Sequence, residues 1–233
     1  VVSRARLQDI QFTPKELFEN QTVQRLAAIA RRNVRSAVDQ GKVSGSMPLT
    51  PIQQWFFAED IPQRQHWNQS VLLQPSEILH SETLGAALSA LVEHHDALRL
   101  SFDQSESGWH AAFKEAPQAL LWTRSVTDAS QLSLVTEQAQ RSLNLEQGPL
   151  LRAVLIDLAD GGQRLLLVIH HLVVDGVSWR VLLADLQQVY LALRDGQPLN
   201  LPEKTSSFKA WGQQLRDYAA SPQLVAQMDY WQG

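Results

Sequence analysis

The stretch RLLLVIHHLVVDGVSWRVLLADLQQVYLALR, residues 164–194, decides the fold. Its first part, residues 165–169, is a continuous apolar run that is typical of a buried strand. From residue 177 to 193 the apolar side chains recur every three or four positions, which predicts an amphipathic helix. A strong strand that leads directly into a strong helix predicts an α/β protein. Such proteins tend to carry their functional groups on the connecting loop, here HHLVVDG.

The sequence on either side of this stretch predicts a mixed α/β domain over residues 48–233. Residues 150–158 and 164–169 form two apolar runs around Asp160-Gly161-Gly162, which indicates a hairpin. Strands are expected at 71–73, 98–102, 109–113 and 120–126, and helices at 81–95 and 131–143. Thr50-Pro51 followed by Gln53 is a good helix start. The tail from residue 208 to 231 is predicted to be helical and is unusually aromatic.

Residues 1–47 differ in character from the rest of the chain. Residues 1–7 predict the end of a helix. Thr13-Pro14 followed by Glu16 predicts a second, capped helix, and a third helix is predicted from about Thr22. Three short helices cannot bury a core of their own. Residues 32–47 are polar and rich in Gly and Ser, so they are predicted to be a linker between residues 1–31 and 48–233.

Composition excludes several classes of function. The 233 residues carry 20 Lys and Arg against 24 Asp and Glu, a net charge of −4. This balance does not indicate the basic surface that binds nucleic acid. Without cysteine there can be no disulfide framework, cysteine nucleophile or thiolate metal site. The apolar runs are far shorter than the roughly 20 residues that span a membrane. No secretory signal opens the sequence, so a cytoplasmic protein with no nucleic-acid or membrane partner is expected.

The residues best suited to chemistry are His170, His171, Asp175 and Gly176. Side chains on a strand alternate between its faces, so the two imidazoles should point in opposite directions, one packed and the other facing a cavity. Asp175 could orient the turn or pair with a cation. Gly176 would allow a tight turn or a close backbone approach. Two buried histidines with a structural role are the alternative interpretation, because buried histidine is common.

A second histidine pair, His94-His95, precedes Asp96 at a predicted helix end, where histidine interacts favourably with the helix dipole. Adjacent residues are not expected to converge on one ion, so we predict no metal site. A Gly-x-Ser-x-Gly nucleophile elbow and a Gly-rich phosphate loop are both absent from the sequence.

Taken together, these letters resemble the condensation-domain superfamily of nonribosomal peptide synthetases, which is similar to chloramphenicol acetyltransferase. HHLVVDGVSWR at 170–180, PLTPIQQWFF at 48–57 and HWNQS at 66–70 resemble the epimerisation-domain form of the family, and HHDALRLSF at 94–102 matches its next motif. The resemblance implies a lobe with a mixed sheet and packed helices. It also implies that Arg99 pairs with Asp175.

Residues 1–31 resemble the last helices of a peptidyl carrier protein, whose phosphopantetheine serine would precede Val1. The resemblance therefore implies a short all-helical carrier remnant ahead of the lobe. It further implies that residues 48–233 are the N-terminal lobe of a two-lobed domain. A glutamate of the second lobe would supply the other acid or base.

The chemistry implied by the resemblance is inversion at Cα of an aminoacyl or peptidyl thioester. The substrate would arrive on the 4′-phosphopantetheine of a carrier protein, and the lobe would bind no cofactor of its own. His171 would act as the acid/base or stabilise the enolate, with His170, Asp175, Gly176 and Arg99 as supports. The partners would be the carrier protein, the second lobe and neighbouring synthetase domains. Two alternatives stay open: a condensation domain, against which the letters VSWR argue, and a non-catalytic carrier-docking fragment.

Overall fold

Two compact units make up the chain, Val1–Asp39 and Gln40–Gly233. The structure, a computed structural model, describes Val2, Ala5 and residues 10–32 and 38–232. The helix end expected at 1–7 lies mostly outside the described residues. Residues 40–47, which the sequence places in a linker, belong to the second unit.

Over residues 10–32, the first unit contains two short helices and a pair of very short strands. Its elements are β1 (Ile10–Gln11), α1 (Pro14–Glu19), α2 (Val23–Ile29) and β2 (Arg31–Arg32). Thr13 and Glu16 form the predicted capping box, in which each side chain accepts from the other residue's backbone N–H. The unit is not all helical as expected. Ala30 is extended and ends α2, so the next two residues pair antiparallel with β1 instead of continuing the helix.

The second unit holds two sheets. Its strands are β3 (Gly45–Met47), β4 (Asn68–Leu73), β5 (Leu100–Ser105), β6 (Gly108–Phe113), β7 (Leu121–Val126), β8 (Leu151–Leu158) and β9 (Gln163–His170). One sheet has the order β4-β9-β8-β7, in which β7 and β8 are parallel and the other neighbours antiparallel. The other has the order β3-β6-β5 and is antiparallel. The predicted mixed sheet and the β8–β9 hairpin are confirmed.

Helices cover both faces of the four-stranded sheet. The described helices of the second unit are α3 (Pro51–Ala58), α4 (Ser81–His94), α5 (Ala129–Gln140), α6 (Ser178–Arg194), α7 (Phe208–Ala219), α8 (Pro222–Val225) and α9 (Met228–Gln232), with 3₁₀ turns at Arg64–His66 and Asp96–Arg99. Of these, α4 and α6 cover one face of the four-stranded sheet and α5 covers the other. Leu167 and Ile169 of β9 share a core cluster with α4 and α6. Leu166 and Val168 belong to a cluster with α5. Because β9 is buried on both faces, its sequence reads as an unbroken apolar run.

One strand begins later than the sequence predicts. The strand expected from residue 98 starts at Leu100, because Asp96–Arg99 close a 3₁₀ turn directly after α4. Leu98 and Arg99 are buried in that turn and not on a sheet face. Within the described part of the chain, no helix is both long enough and apolar enough to cross a membrane.

Candidate functional site

The histidine motif lies where β9 ends and the chain turns toward α6. The backbone N–H of His171 donates to the Trp67 carbonyl at 2.8 Å, and that of Val173 donates to the His170 carbonyl at 3.0 Å. These bonds hold a tight turn between a buried strand and a buried helix. His170, His171, Asp175 and Gly176 are therefore brought together on one loop.

His170 is enclosed and fully hydrogen-bonded. Its side chain is buried, and its Nε2–H donates to the Arg64 carbonyl at 2.8 Å while its Nδ1 accepts from the Leu172 N–H at 3.2 Å. Burial, with a smaller contribution from the neighbouring His171, lowers the pKa of His170 to about 4. A neutral imidazole with both nitrogens occupied by backbone groups supports the loop and has no free nitrogen for a substrate.

His171 is the accessible member of the pair, as the alternation of strand side chains predicted. Its Nδ1 lies 2.8 Å from the Val174 carbonyl, which can only accept, so Nδ1 carries the proton. In the neutral ring, Nε2 then carries the lone pair. The Gln69 amide nitrogen lies 3.1 Å from it.

A cavity of about 510 Å³ opens in front of His171. Its walls are mostly apolar and aromatic: Ile52, Trp55, Phe56, Ile61, Trp67, Leu172 and Phe208. The carboxylates of Glu59 and Asp60 also line it, and Glu59 accepts from the Trp55 indole N–H at 2.8 Å. A larger cavity of about 800 Å³ lies beside β3, β6 and α7, but none of the described residues that line it belongs to the histidine motif. We place the site at the smaller cavity because the accessible His171 lines it.

Asp175 caps the start of α6. Its carboxylate accepts from the Ser178 hydroxyl at 2.6 Å, the Ser178 N–H at 2.7 Å and the Val177 N–H at 3.1 Å. The two bonds from Ser178 hold the pKa of Asp175 below its usual value. Asp175 is exposed and does not pair with Arg99, so the pairing implied by the family resemblance is wrong for this structure.

Arg99 instead belongs to a buried network away from the motif. Its guanidinium donates to Asp96 and, at 3.0 Å each, to the carbonyls of Val43 and Lys114. Asp96 also accepts from Lys204 at 3.1 Å. The physical reason for the error is local. Asp96 lies one 3₁₀ turn before Arg99, so its carboxylate forms the ion pair with the Arg99 guanidinium.

Gly176 has no conformational requirement for glycine in this structure. Its φ is not in the left-handed region, and a Cβ placed there meets no described atom within 4 Å. A close approach to the Gly176 backbone stays a prediction, and the approaching group would belong to another molecule.

The cap assignment changes what Asp175→Ala is expected to do. Loss of a helix cap costs about 0.5–2 kcal/mol, against the 3–5 kcal/mol of a broken buried ion pair. Urea unfolding at pH 7 measures the difference, and Asp175→Ser, which keeps a capping oxygen, should lose less. Because the folded pKa is lowered, the charged cap stabilises at neutral pH, and that part is lost as the pH falls through the folded value. A loss of 3 kcal/mol or more would contradict the cap assignment.

The second histidine pair does converge on one point, contrary to expectation. His94 and His95 stand edge to face, and one ring nitrogen from each lies within 4.8 Å of the other and of an Asp185 carboxylate oxygen. The convergence is possible because α4 ends at His94, so the two side chains leave different backbone conformations. His95 Nε2 is bonded to Asp185 at 2.8 Å, and burial followed by the neighbouring His95 lowers the pKa of His94. These residues tie α4 to α6.

Gln69 is the site residue that the sequence did not single out. It lies on β4, and its amide oxygen accepts from the Trp179 indole N–H at 2.8 Å while its nitrogen faces His171. HWNQS and VSWR are both letters of the family resemblance. Gln69 and Trp179 lie 110 positions apart in the sequence, so no local pattern predicts their contact.

Comparisons with known proteins agree with this fold. The Condensation domain family matches residues 43–233. One of the linear gramicidin synthase proteins of Brevibacillus parabrevis is 43% identical over 239 residues, which cover 99% of this chain but 5% of that protein.

Solved structures extend the likeness. The epimerization domain from the third module of tyrocidine synthetase B is 37% identical with a TM-score of 0.77, over 83% of this chain and 45% of that one. The starter condensation domain of rhizomide synthetase shares the fold, with a TM-score of 0.68 at 20% identity over 81% of this chain and 47% of that one. The chain belongs to the condensation domain family of the nonribosomal peptide synthetases.

Proposed function

We propose that this chain is the N-terminal lobe of an epimerisation domain. It would invert the Cα configuration of an aminoacyl or peptidyl thioester held on the phosphopantetheine of a carrier protein. The observation that carries the proposal is the accessible His171, which lines a mostly apolar cavity and whose Nδ1 donates to the Val174 carbonyl, so that Nε2 of the neutral ring is the acceptor. The 37% identity to a solved epimerization domain supports it.

The chemistry requires a base that is unprotonated before the reaction. Neutral imidazole is a suitable general base near pH 7. Nε2 of His171 would take the Cα proton: the C–H bond breaks, an N–H bond forms, and the electron pair moves into the thioester as an enolate. A proton delivered to the opposite face of Cα would then give the inverted product.

The second face needs a second group. The chain spans 45% of the solved epimerization domain, and we assign that group to the remaining part of the fold. Glu59 and Asp60 are the carboxylates in the wall of the same cavity, so they are the candidates if this chain alone exchanges the proton.

Condensation is the second candidate, because the family that matches the chain is named for it. There His171 would take a proton from an attacking amine, and the amine nitrogen would displace the thiol of a second carrier. The same lone pair serves both reactions. The substrates and products therefore distinguish them.

The test uses a longer protein that carries this chain and the remaining half of the fold. One carrier is loaded with an L-aminoacyl group, and a second loaded carrier is offered as an amine donor. The D-aminoacyl thioester without a peptide product supports epimerisation. A peptide without D-product supports condensation, and carrier binding with neither product supports a docking role.

A further inference from the structure

Three side chains from three different elements form one hydrogen-bonded line that ends on the backbone beside His171. The Trp179 indole nitrogen of α6 lies 2.8 Å from the Gln69 amide oxygen on β4. The Gln69 amide nitrogen lies 3.1 Å from His171 Nε2. His171 Nδ1 lies 2.8 Å from the Val174 carbonyl oxygen.

The direction of every bond in this line follows from its two ends. An indole N–H can only donate and a backbone carbonyl can only accept. Trp179 therefore fixes the Gln69 amide with its oxygen toward α6 and its NH₂ group toward His171. Val174 fixes the proton of His171 on Nδ1. Val174 requires a proton on Nδ1, and the Gln69 N–H requires an acceptor at Nε2, so the two ends together select the neutral ring with an unprotonated Nε2.

Burial makes this arrangement hard to reverse. Trp179 is 9% exposed, and the Gln69 oxygen supplies the acceptor for its indole N–H. Turning the Gln69 amide over would place its NH₂ group against the indole N–H and leave a buried donor unpaired, which is costly. Gln69 is thus a fixed N–H donor toward Nε2 of His171.

We propose that Gln69, oriented by Trp179, is a positioning residue that presents Nε2 of His171 as the proton acceptor. This inference rests on the proposed function, since it names what prepares His171 for that reaction. The substrate Cα–H would approach Nε2 in place of the Gln69 N–H.

The sharpest variant is Gln69→Glu, because a carboxylate can only accept. It can take the Trp179 N–H at one oxygen and a proton-bearing Nε2 of His171 at the other. The side chains have nearly the same shape, so packing changes little. Gln104→Glu, at the exposed end of β5, makes the same chemical change away from the site and is the matched control.

Nitrogen NMR of the 233-residue chain reads the proton positions directly, with His171→Ala used to assign the signals. At a pH where the ring is neutral, the wild-type and Gln104→Glu proteins should show a protonated Nδ1 and a free Nε2. In Gln69→Glu, Nε2 should become protonated under the same conditions. A wild-type signal from a protonated Nε2, or an unchanged pattern in Gln69→Glu, would overturn the proposal.

Kinetics in the longer two-lobed protein supply the functional readout. Gln69→Glu and Trp179→Phe should each lower kcat for epimerisation by about 10–100-fold, as partners that orient a functional histidine typically do, with KM for the loaded carrier little changed. An unchanged kcat in both variants would overturn the positioning role. Should the wild-type protein not epimerise, the proposed function fails, while the NMR result still decides the hydrogen-bonded line.

Discussion

Replacing Asp96 by alanine should lower the free energy of unfolding by about 3–5 kcal/mol, the cost of removing one partner from a buried ion pair. Asp96 accepts from Arg99, from Lys204 and from the Val43 N–H. Arg99 is 2% exposed, and without Asp96 its charge would face the two carbonyls alone. The network joins segments near residues 43, 96–99, 114 and 204, so its loss weakens several elements of the second unit at once.

Urea unfolding of the variant measures this loss. Asp103→Ala is the matched control: its carboxylate is exposed and lies 3.8 Å from Lys114. Exposed ion pairs contribute about 0–1 kcal/mol, so the control should be nearly neutral. A loss below about 1 kcal/mol for Asp96→Ala would mean that the Arg99 charge is not buried with Asp96 as its partner.

Replacing His171 by alanine should slow epimerisation by the two-lobed protein by about 10²–10⁴-fold, the usual contribution of a general base. His171 is accessible and its backbone bonds do not need the ring, so carrier binding and stability should change little. His110→Ala removes an exposed histidine on β6 and should keep the wild-type rate. The measurement is the initial rate of D-product formation. Wild-type activity in the His171 variant would remove the central residue of the proposal.

Local signals in the sequence predicted most of the fold. The apolar run before His170 predicted β9, because a strand covered on both faces needs no polar positions. The three-to-four-residue period after residue 177 predicted α6 within a residue of its observed start. Thr50-Pro51 with Gln53 predicted the start of α3, where the Thr50 N–H donates to the Gln53 side chain at 3.0 Å. Each signal acts within one turn or one strand.

The errors concern pairs whose partners the sequence does not identify. Arg99 was expected to reach Asp175, but the 3₁₀ turn brings Asp96 to it first. His94 and His95 were expected to diverge, but the helix ends between them. Gln69 meets Trp179 only because β4 pairs with β9 and α6 packs over that edge of the sheet. Such contacts depend on tertiary packing and not on local pattern.

The most direct test of proton transfer through His171 is solvent deuterium incorporation at Cα of a carrier-bound L-aminoacyl thioester, measured by mass spectrometry with the two-lobed protein in D₂O. We predict that deuterium appears at Cα as the D-thioester forms, and that His171→Ala nearly abolishes both. Formation of D-product without Cα deuterium, or full exchange in His171→Ala, would contradict this proton transfer.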